Sequence, residues 1–302
     1  MVKKLSKLDY LPLSWIYSQE NNIEKHVKLW KSTYWLYSGE IANISSFHKV
    51  LNNFYSHPKT ELVIRGCNKI VSKQLMKLNF SSIIIGKEAI IELNQNPFTK
   101  KSLKELVKRG LKFGHVEEVQ YSEKALIKLE ELKSNSAHSK EPQLKYLFVD
   151  HFINETRLFV FVNNHDSWEG AILVSKNSPN KIQAELLLRR KSAPNGIMEA
   201  LIYYTYKILK LEGYSEFSLG EVPFIADSDD IPYLSMQFII NIIGRMFKYA
   251  YNYEGLYFFK NKFATKWKNI YLCVRREFKF KHIFMIAYKS KLISLALYKL
   301  LK

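Results

Sequence analysis

Cysteine is scarce. The 302 residues hold two, Cys67 and Cys273, with no CxxC spacing and no histidine pair beside them, which excludes a zinc site of ordinary spacing and a disulfide scaffold. A reducing, cytoplasmic compartment is the expectation. Glycine is sparse as well, at eleven residues, and nowhere forms a glycine-rich phosphate fingerprint or the RxxGxG/A loop that would take an acyl-CoA pyrophosphate. No charge-free apolar run reaches 18 residues, so no transmembrane helix is expected. The start, MVKKLSKLDYLPLSW, carries lysines without an apolar segment or a small-residue cleavage site, so no secretory leader is expected either. Acidic residues are few: 28 against 46 Lys and Arg, a formal net charge of +18. Such an imbalance predicts attraction to polyanions, either nucleic acid or an anionic lipid surface.

What is present is apolar and aromatic content enough for real cores, in a length that suggests two domains. The clearest punctuation lies over 181–223. An apolar strand pattern over 182–188 is followed by the breaker cluster Ala193-Pro194-Asn195-Gly196, a helix with Asn195 as expected N-cap and Glu199 in its first turn, Gly213 as left-handed stop, and a second strand ending at Gly220-Glu221-Val222-Pro223. This is a β-α-β unit. The turn before its helix presents unpaired backbone N–H groups, which makes Asn195 and Gly196 a candidate seat for a phosphate or acyl donor, with simple chain reversal as the alternative.

The flanking sequence reads as mixed α/β. Helical spacing is expected over 16–30, a strand over 33–41, a helix over 45–55, a strand over 61–65, a helix over 68–78 and one or two strands over 82–93 broken near Gly86. Over 99–114 Lys100, Lys101, Lys104, Lys108, Arg109 and Lys112 face a single Glu105, with Leu103, Leu106, Val107 and Leu111 as the apolar stripe. Lys104, Lys108 and Arg109 of this basic helix are candidate phosphate contacts, against a plain solvated face. Residues 114–119 read as the joint between domains 1–118 and 119–302. A helix over 122–132, a loop over 133–143 and a hairpin of 157–162 with 170–176 follow. An acidic loop over 224–230 and an apolar helix over 234–250 come next. Lys260, Lys262, Lys266 and Lys268 then interleave with Phe258, Phe259, Phe263 and Trp267, a pattern for a phosphate-lined groove or a headgroup-level surface. The end, 282–302, is a helix apolar on most of its circumference, expected either buried or docked shallowly on a membrane.

The runs APNGIMEALI, FSLGEVP and GLYFFKNKF…W…YL, with IGKEAIIEL and the basic helix before them, together resemble the C-terminal domain family of lysyl-phosphatidylglycerol synthases over roughly residues 60–280. The resemblance implies tandem acetyltransferase-like (GNAT) folds around a central basic helix. It also implies transfer of an aminoacyl group from aminoacyl-tRNA to the glycerol hydroxyl of phosphatidylglycerol, without a cofactor. Fuller family members carry a transmembrane flippase that is not seen here. The acidic residue of the family's D-L-M-R pattern falls on Glu185; its arginine falls on Leu188, and a one-residue shift places Arg189 there. Lys260 and Lys262 match the family lysines directly.

Ester transfer needs a positioned hydroxyl, a proton acceptor and donors facing the developing oxyanion. Glu185 or Glu221 is the candidate base, and Arg189, Lys260 and Lys262 are candidate phosphate holders. An aminoacyltransferase at the inner membrane face is the leading expectation. A GNAT acyltransferase using acyl-CoA or acyl carrier protein, and a non-catalytic tRNA- or lipid-binding protein, are the alternatives.

Overall fold

A computed structural model describes residues 10–18, 25–41, 44–55, 59–225, 244 and 248–301. Most of the expected helix over 234–250 and most of the expected acidic loop lie outside them, and residues 248–250 are turn. Strands are β1 (Trp15–Tyr17), β2 (Lys25–Trp30), β3 (Thr33–Ile41), β4 (Glu61–Cys67), β5 (Phe80–Glu92), β6 (Gly114–Val119), β7 (Thr156–Asn163), β8 (Trp168–Ser178), β9 (Lys181–Arg189), β10 (Glu216–Pro223) and β11 (Lys266–Arg275). Helices are α1 (Ile44–Tyr55), α2 (Lys69–Met76), α3 (Lys101–Leu111), α4 (Glu123–Ser134), α5 (Ile197–Leu211), α6 (Tyr253–Asn261), α7 (Phe280–Lys289) and α8 (Leu292–Leu300). No described helix is long and apolar enough to cross a membrane.

The strands form a single sheet in the order β1-β3-β4-β11-β5-β10-β9-β8-β7-β6, with β2 on β3. Chain order and spatial order differ most around β5. β11, the last strand in sequence, lies between β4 and β5, antiparallel to both, and β10 also pairs with β5. A division at residue 118 therefore coincides with no gap in the sheet. Residues 114–119, expected as a joint, are strand β6, paired in full with β7. The helical spacing expected over 16–30 resolves into β1 and β2. Val27 and Leu29 lie two apart and face one core, the period of a strand.

The β-α-β unit sets the shape of the centre. β9 and β10 run parallel, but only Lys181–Gln183 pair with Glu216–Ser218. Beyond that point β9 stays with β8 as far as Arg189, while β10 bulges between Ser218 and Glu221 and continues along β5. Gly220, at φ +80°, makes the bulge. The sheet is thus split beside the N-terminus of α5. Ile182, Ala184, Phe217 and Leu219 carry the core under α5, so Lys181, Gln183, Glu185 and Ser218 point to the opposite face by strand alternation.

α3 lies across α5 through its Leu103, Val107 and Gly110. Leu111, expected in that stripe, is 46% exposed. The two backbones touch: a β-carbon on Gly110 would lie 2.3 Å from the Gly196 carbonyl oxygen, and one on Gly196 would lie 2.2 Å from that of Leu106. Only glycine at both positions allows this approach.

Candidate active site

Two groups of side chains are built around β9, β10 and α5. The first is an open cleft of about 390 Å³ at the start of α5, lined by Arg109, Arg189, Asn195, Gly196, Glu199 and Lys262, with Leu106, Met198 and Phe259 as apolar wall. Gly196, at φ +101°, is the N-cap, and no side chain caps the helix. Asn195, expected in that role, instead accepts from Arg189 Nη2 at 3.4 Å, and the same nitrogen donates to the Ala193 carbonyl at 2.5 Å. With φ near +100° the chain turns too sharply for the Asn195 side chain to reach back over the first turn. The result is a helix N-terminus flanked by three cations, a combination suited to a phosphate. Lys262 is ion-paired to Glu199 at 3.1 Å, and Lys100 donates to its carbonyl at 3.2 Å, which ties α3 to α6.

The cations of α3 are all exposed, and its first turn has no acidic residue. Lys101 and Lys104 near the N-terminus oppose the macrodipole, while Lys108 and Arg109 in the last turn complement it. Lys104 and Lys108 lie outside the cleft lining, with Lys108 3.7 Å from Glu105. They present charge to solvent beside the cleft.

The second group is buried around β10, from its paired stretch with β9 to the bulge beyond Ser218. Glu88 Oε1 accepts from Lys181 Nζ at 2.5 Å and from Ser218 Oγ at 2.6 Å, and Ser218 Oγ in turn accepts from the Gly220 N–H at 3.0 Å. Glu221 Oε2 lies 2.7 Å from Arg65 Nη2, and its carbonyl accepts from Lys260 Nζ at 2.9 Å. Glu88 Oε2 and Glu221 Oε1 find no hydrogen-bond partner among the described residues. Burial raises the Glu221 carboxyl, an effect that Arg65 and Lys260 partly offset and Glu88 adds to. Burial lowers Lys260 to about 8, against the upward pull of Glu221 and Glu88. The Tyr251 phenol is pushed up to about 12, by burial and then by Glu221.

Lys260 therefore sheds its proton before the unfolded chain does. Between about 8 and 10.5 the unfolded state binds more protons, so stability rises with pH across that window and the cost of the buried ammonium is fully present below it. Titration of 13Cε-labelled lysine should show one resonance inflecting near pH 8, missing in Lys260→Met. If every lysine inflects above 10, Lys260 is solvated and this arrangement is wrong.

Glu185 lies outside the cleft lining and close enough to Lys181 of the buried group to be lowered by it. Its carboxylate accepts from Ser175 Oγ at 2.6 Å, Gln183 Nε2 at 3.2 Å and the Val149 N–H at 3.1 Å, while burial raises it. Of the residues expected in the site, the structure brings together Arg109, Arg189, Asn195, Gly196 and Lys262 in the cleft. Lys260 and Glu221 meet in the buried cluster.

Sequence reasoning missed Arg65, Glu88, Lys181 and Tyr251. The signal for Glu88 was present, a charged residue within the apolar strand run IIIGKEAII. Such a residue is rarely buried without a partner and a purpose. Among the described residues no cluster of His, Cys, Asp and Glu could hold a metal ion.

A family model described as phosphatidylglycerol lysyltransferase, C-terminal, matches residues 38–274. A phosphatidylglycerol lysyltransferase of Bacillus subtilis is 26% identical over 205 residues, 64% of this chain but 24% of that protein, so the chain spans about a quarter of the curated relative's length. The structure of L-PGS from Bacillus licheniformis superposes with a TM-score of 0.70 at 20% identity, covering 92% of this chain and 87% of that one. The C-terminal domain of a protein described as a lysylphosphatidylglycerol synthetase from Agrobacterium fabrum gives 0.66 at 17% identity, covering 90% and 84%. At these identities the two structures speak to the fold alone, and they bear out the mixed α/β class.

Proposed function

The chain belongs to the phosphatidylglycerol lysyltransferase C-terminal family, and from that premise we propose that it moves an aminoacyl group from aminoacyl-tRNA to the glycerol hydroxyl of phosphatidylglycerol at the cytoplasmic face of a membrane. The observation that carries the reading is the cleft at the start of α5, where Arg109, Arg189 and Lys262 surround a helix N-terminus that no side chain caps; the acid–base cluster around Glu221 lies buried outside its lining. In the transfer, the glycerol oxygen bonds to the aminoacyl carbonyl carbon and the ester bond to the tRNA ribose oxygen breaks. Glu221 takes the hydroxyl proton and returns it to the leaving oxygen. Lys260 and Arg65 supply positive potential beside it. Glu185, saturated by three donors, is a positioning residue that holds Val149 and Ser175 in place.

Arg109, Arg189, Lys262, Asn195 and Gly196 are assigned to phosphate, while Lys104 and Lys108 steer the tRNA backbone by counterion release. Residues 1–118 and 119–302 are proposed as two acetyltransferase-like halves that share strands through β10 and β11.

Loss of one charged hydrogen-bond partner to phosphate should raise KM on the order of tenfold, with kcat nearly unchanged, in Arg109→Ala and Arg189→Ala. A fall in kcat at constant KM would remove the phosphate assignment. The reading as a whole is tested by incubating the protein and phosphatidylglycerol vesicles with labelled aminoacyl-tRNA in one arm and labelled acyl-CoA in the other. Label is expected in lipid from the tRNA arm. Label from acyl-CoA alone would put a GNAT acyltransferase in its place, and label from neither a binding protein.

A further inference from the structure

The expected C-terminal helix is two helices, because Lys291 adopts φ +66° between α7 and α8. The inner side of α7 is used: His282 and Ile286 are buried, and Ile283 and Met285 pack with the cluster around Trp35 and Leu272. Its outer side is not. Phe280, Phe284 and Tyr288, spaced four apart and hence on one face, are 44%, 61% and 57% exposed. Leu297, Leu300 and Leu301 of α8 and its end are 55%, 63% and 88% exposed. Three aromatic side chains on one face of α7 and three leucines at the end of α8 are turned to solvent, apolar exposure of the kind that marks an interaction surface.

The charge around this patch identifies the occupant. From residue 276 to 301 there are six Lys and Arg, at 276, 279, 281, 289, 291 and 299, against one acid, Glu277. Arg276, Lys279, Lys281 and Lys291 are exposed. Aromatic rings at headgroup depth within a ring of lysines match an anionic bilayer.

The patch is also tied to a cavity. The Lys145 N–H donates to the Ser290 carbonyl at 3.1 Å in the turn between α7 and α8, and Lys299 pairs with Glu141. Lys145 and Tyr146 line a cavity of about 290 Å³ with Tyr37, Phe148 and Val149, whose N–H holds Glu185.

We propose that the outer face of α7 and α8 docks on anionic phospholipid bilayers, with Phe280, Phe284 and Tyr288 inserted and the surrounding lysines on headgroup phosphates. This deepens the transfer reading by naming the surface that meets the lipid, and it rests on its own observations. The test is sedimentation of the full chain with vesicles of phosphatidylcholine alone and with added phosphatidylglycerol, alongside transfer to dispersed short-chain phosphatidylglycerol.

Wild type is expected to partition at least tenfold more onto the phosphatidylglycerol vesicles, less so as salt is raised. The triple variant Phe280→Ser, Phe284→Ser, Tyr288→Ser should lose at least tenfold of that binding while its Tm and its turnover of the dispersed lipid are kept. Lys279→Glu with Lys281→Glu and Lys291→Glu, which spares every apolar side chain, should lose it too. Wild-type binding by the triple variant, equal binding to both vesicle types, or a wild-type dimer in solution that the triple variant abolishes would each overturn the proposal. Vesicle binding without any transfer would leave docking intact and remove the transfer reading instead.

Discussion

Glu221→Gln should lower the rate of transfer to phosphatidylglycerol by roughly 10²- to 10⁴-fold, the usual contribution of a positioned proton acceptor, with KM close to wild type and a lowered Tm, because Arg65 loses its buried ion-pair partner. The amide keeps the shape of the side chain but cannot accept a proton. A second, non-kinetic readout follows from the electrostatics. Glu221 raises Lys260 while burial lowers it, so removing the negative charge should move the Lys260 inflection further below about 8. Loss of turnover with an unmoved Lys260 titration would mean that the two groups do not share the buried cluster. Turnover near wild type would mean that the proton goes elsewhere.

Gly196→Ala should cost roughly 3 kcal/mol, the sum of about 1–2 for a β-carbon in the left-handed region and about 1–3 for forcing it against backbone. The reason is geometric: φ is +101°, and the new carbon would sit 2.2 Å from the Leu106 carbonyl oxygen of α3. Relief requires α3 to move off α5, which opens the cleft and displaces Arg109 from Arg189. Gly213 is the internal control, since its φ is +81° but nothing lies within 4 Å. Gly213→Ala should therefore cost about 1 kcal/mol and leave KM unchanged. Urea unfolding of the two variants separates strain from contact; equal losses would show that α3 is not held by this approach.

Legibility in the sequence followed how local the determining physics was. The hairpin of β7 and β8, the order strand, helix, strand around α5, and Gly213 as its left-handed stop are fixed by residues close together, and their patterns were readable. The same holds for the cleft, because Arg189, Asn195 and Gly196 sit within eight residues and α3 announces itself by its charge. The place of β11 was not readable: nothing within Lys266–Arg275 says that it will slot between β4 and β5, some 200 residues earlier. With that went the buried cluster, since Lys260 reaches Glu221 only because α6 leads directly into β11. Glu185 is a candidate base through the family pattern, which carries no information on the face it occupies. Alternation along β9 instead sets it on the face away from α5, with Gln183, where Val149 and Ser175 take it up.

The most direct measurement of the central claim is the lipid content of cells that make this protein against cells that make its Glu221→Gln variant, extracted under acidic conditions and read by mass spectrometry. The account predicts new phosphatidylglycerol species heavier by one aminoacyl group in the first culture and their absence in the second, at matched protein levels. Identical lipid profiles in both cultures, with the wild-type protein folded and abundant and phosphatidylglycerol present, would contradict it.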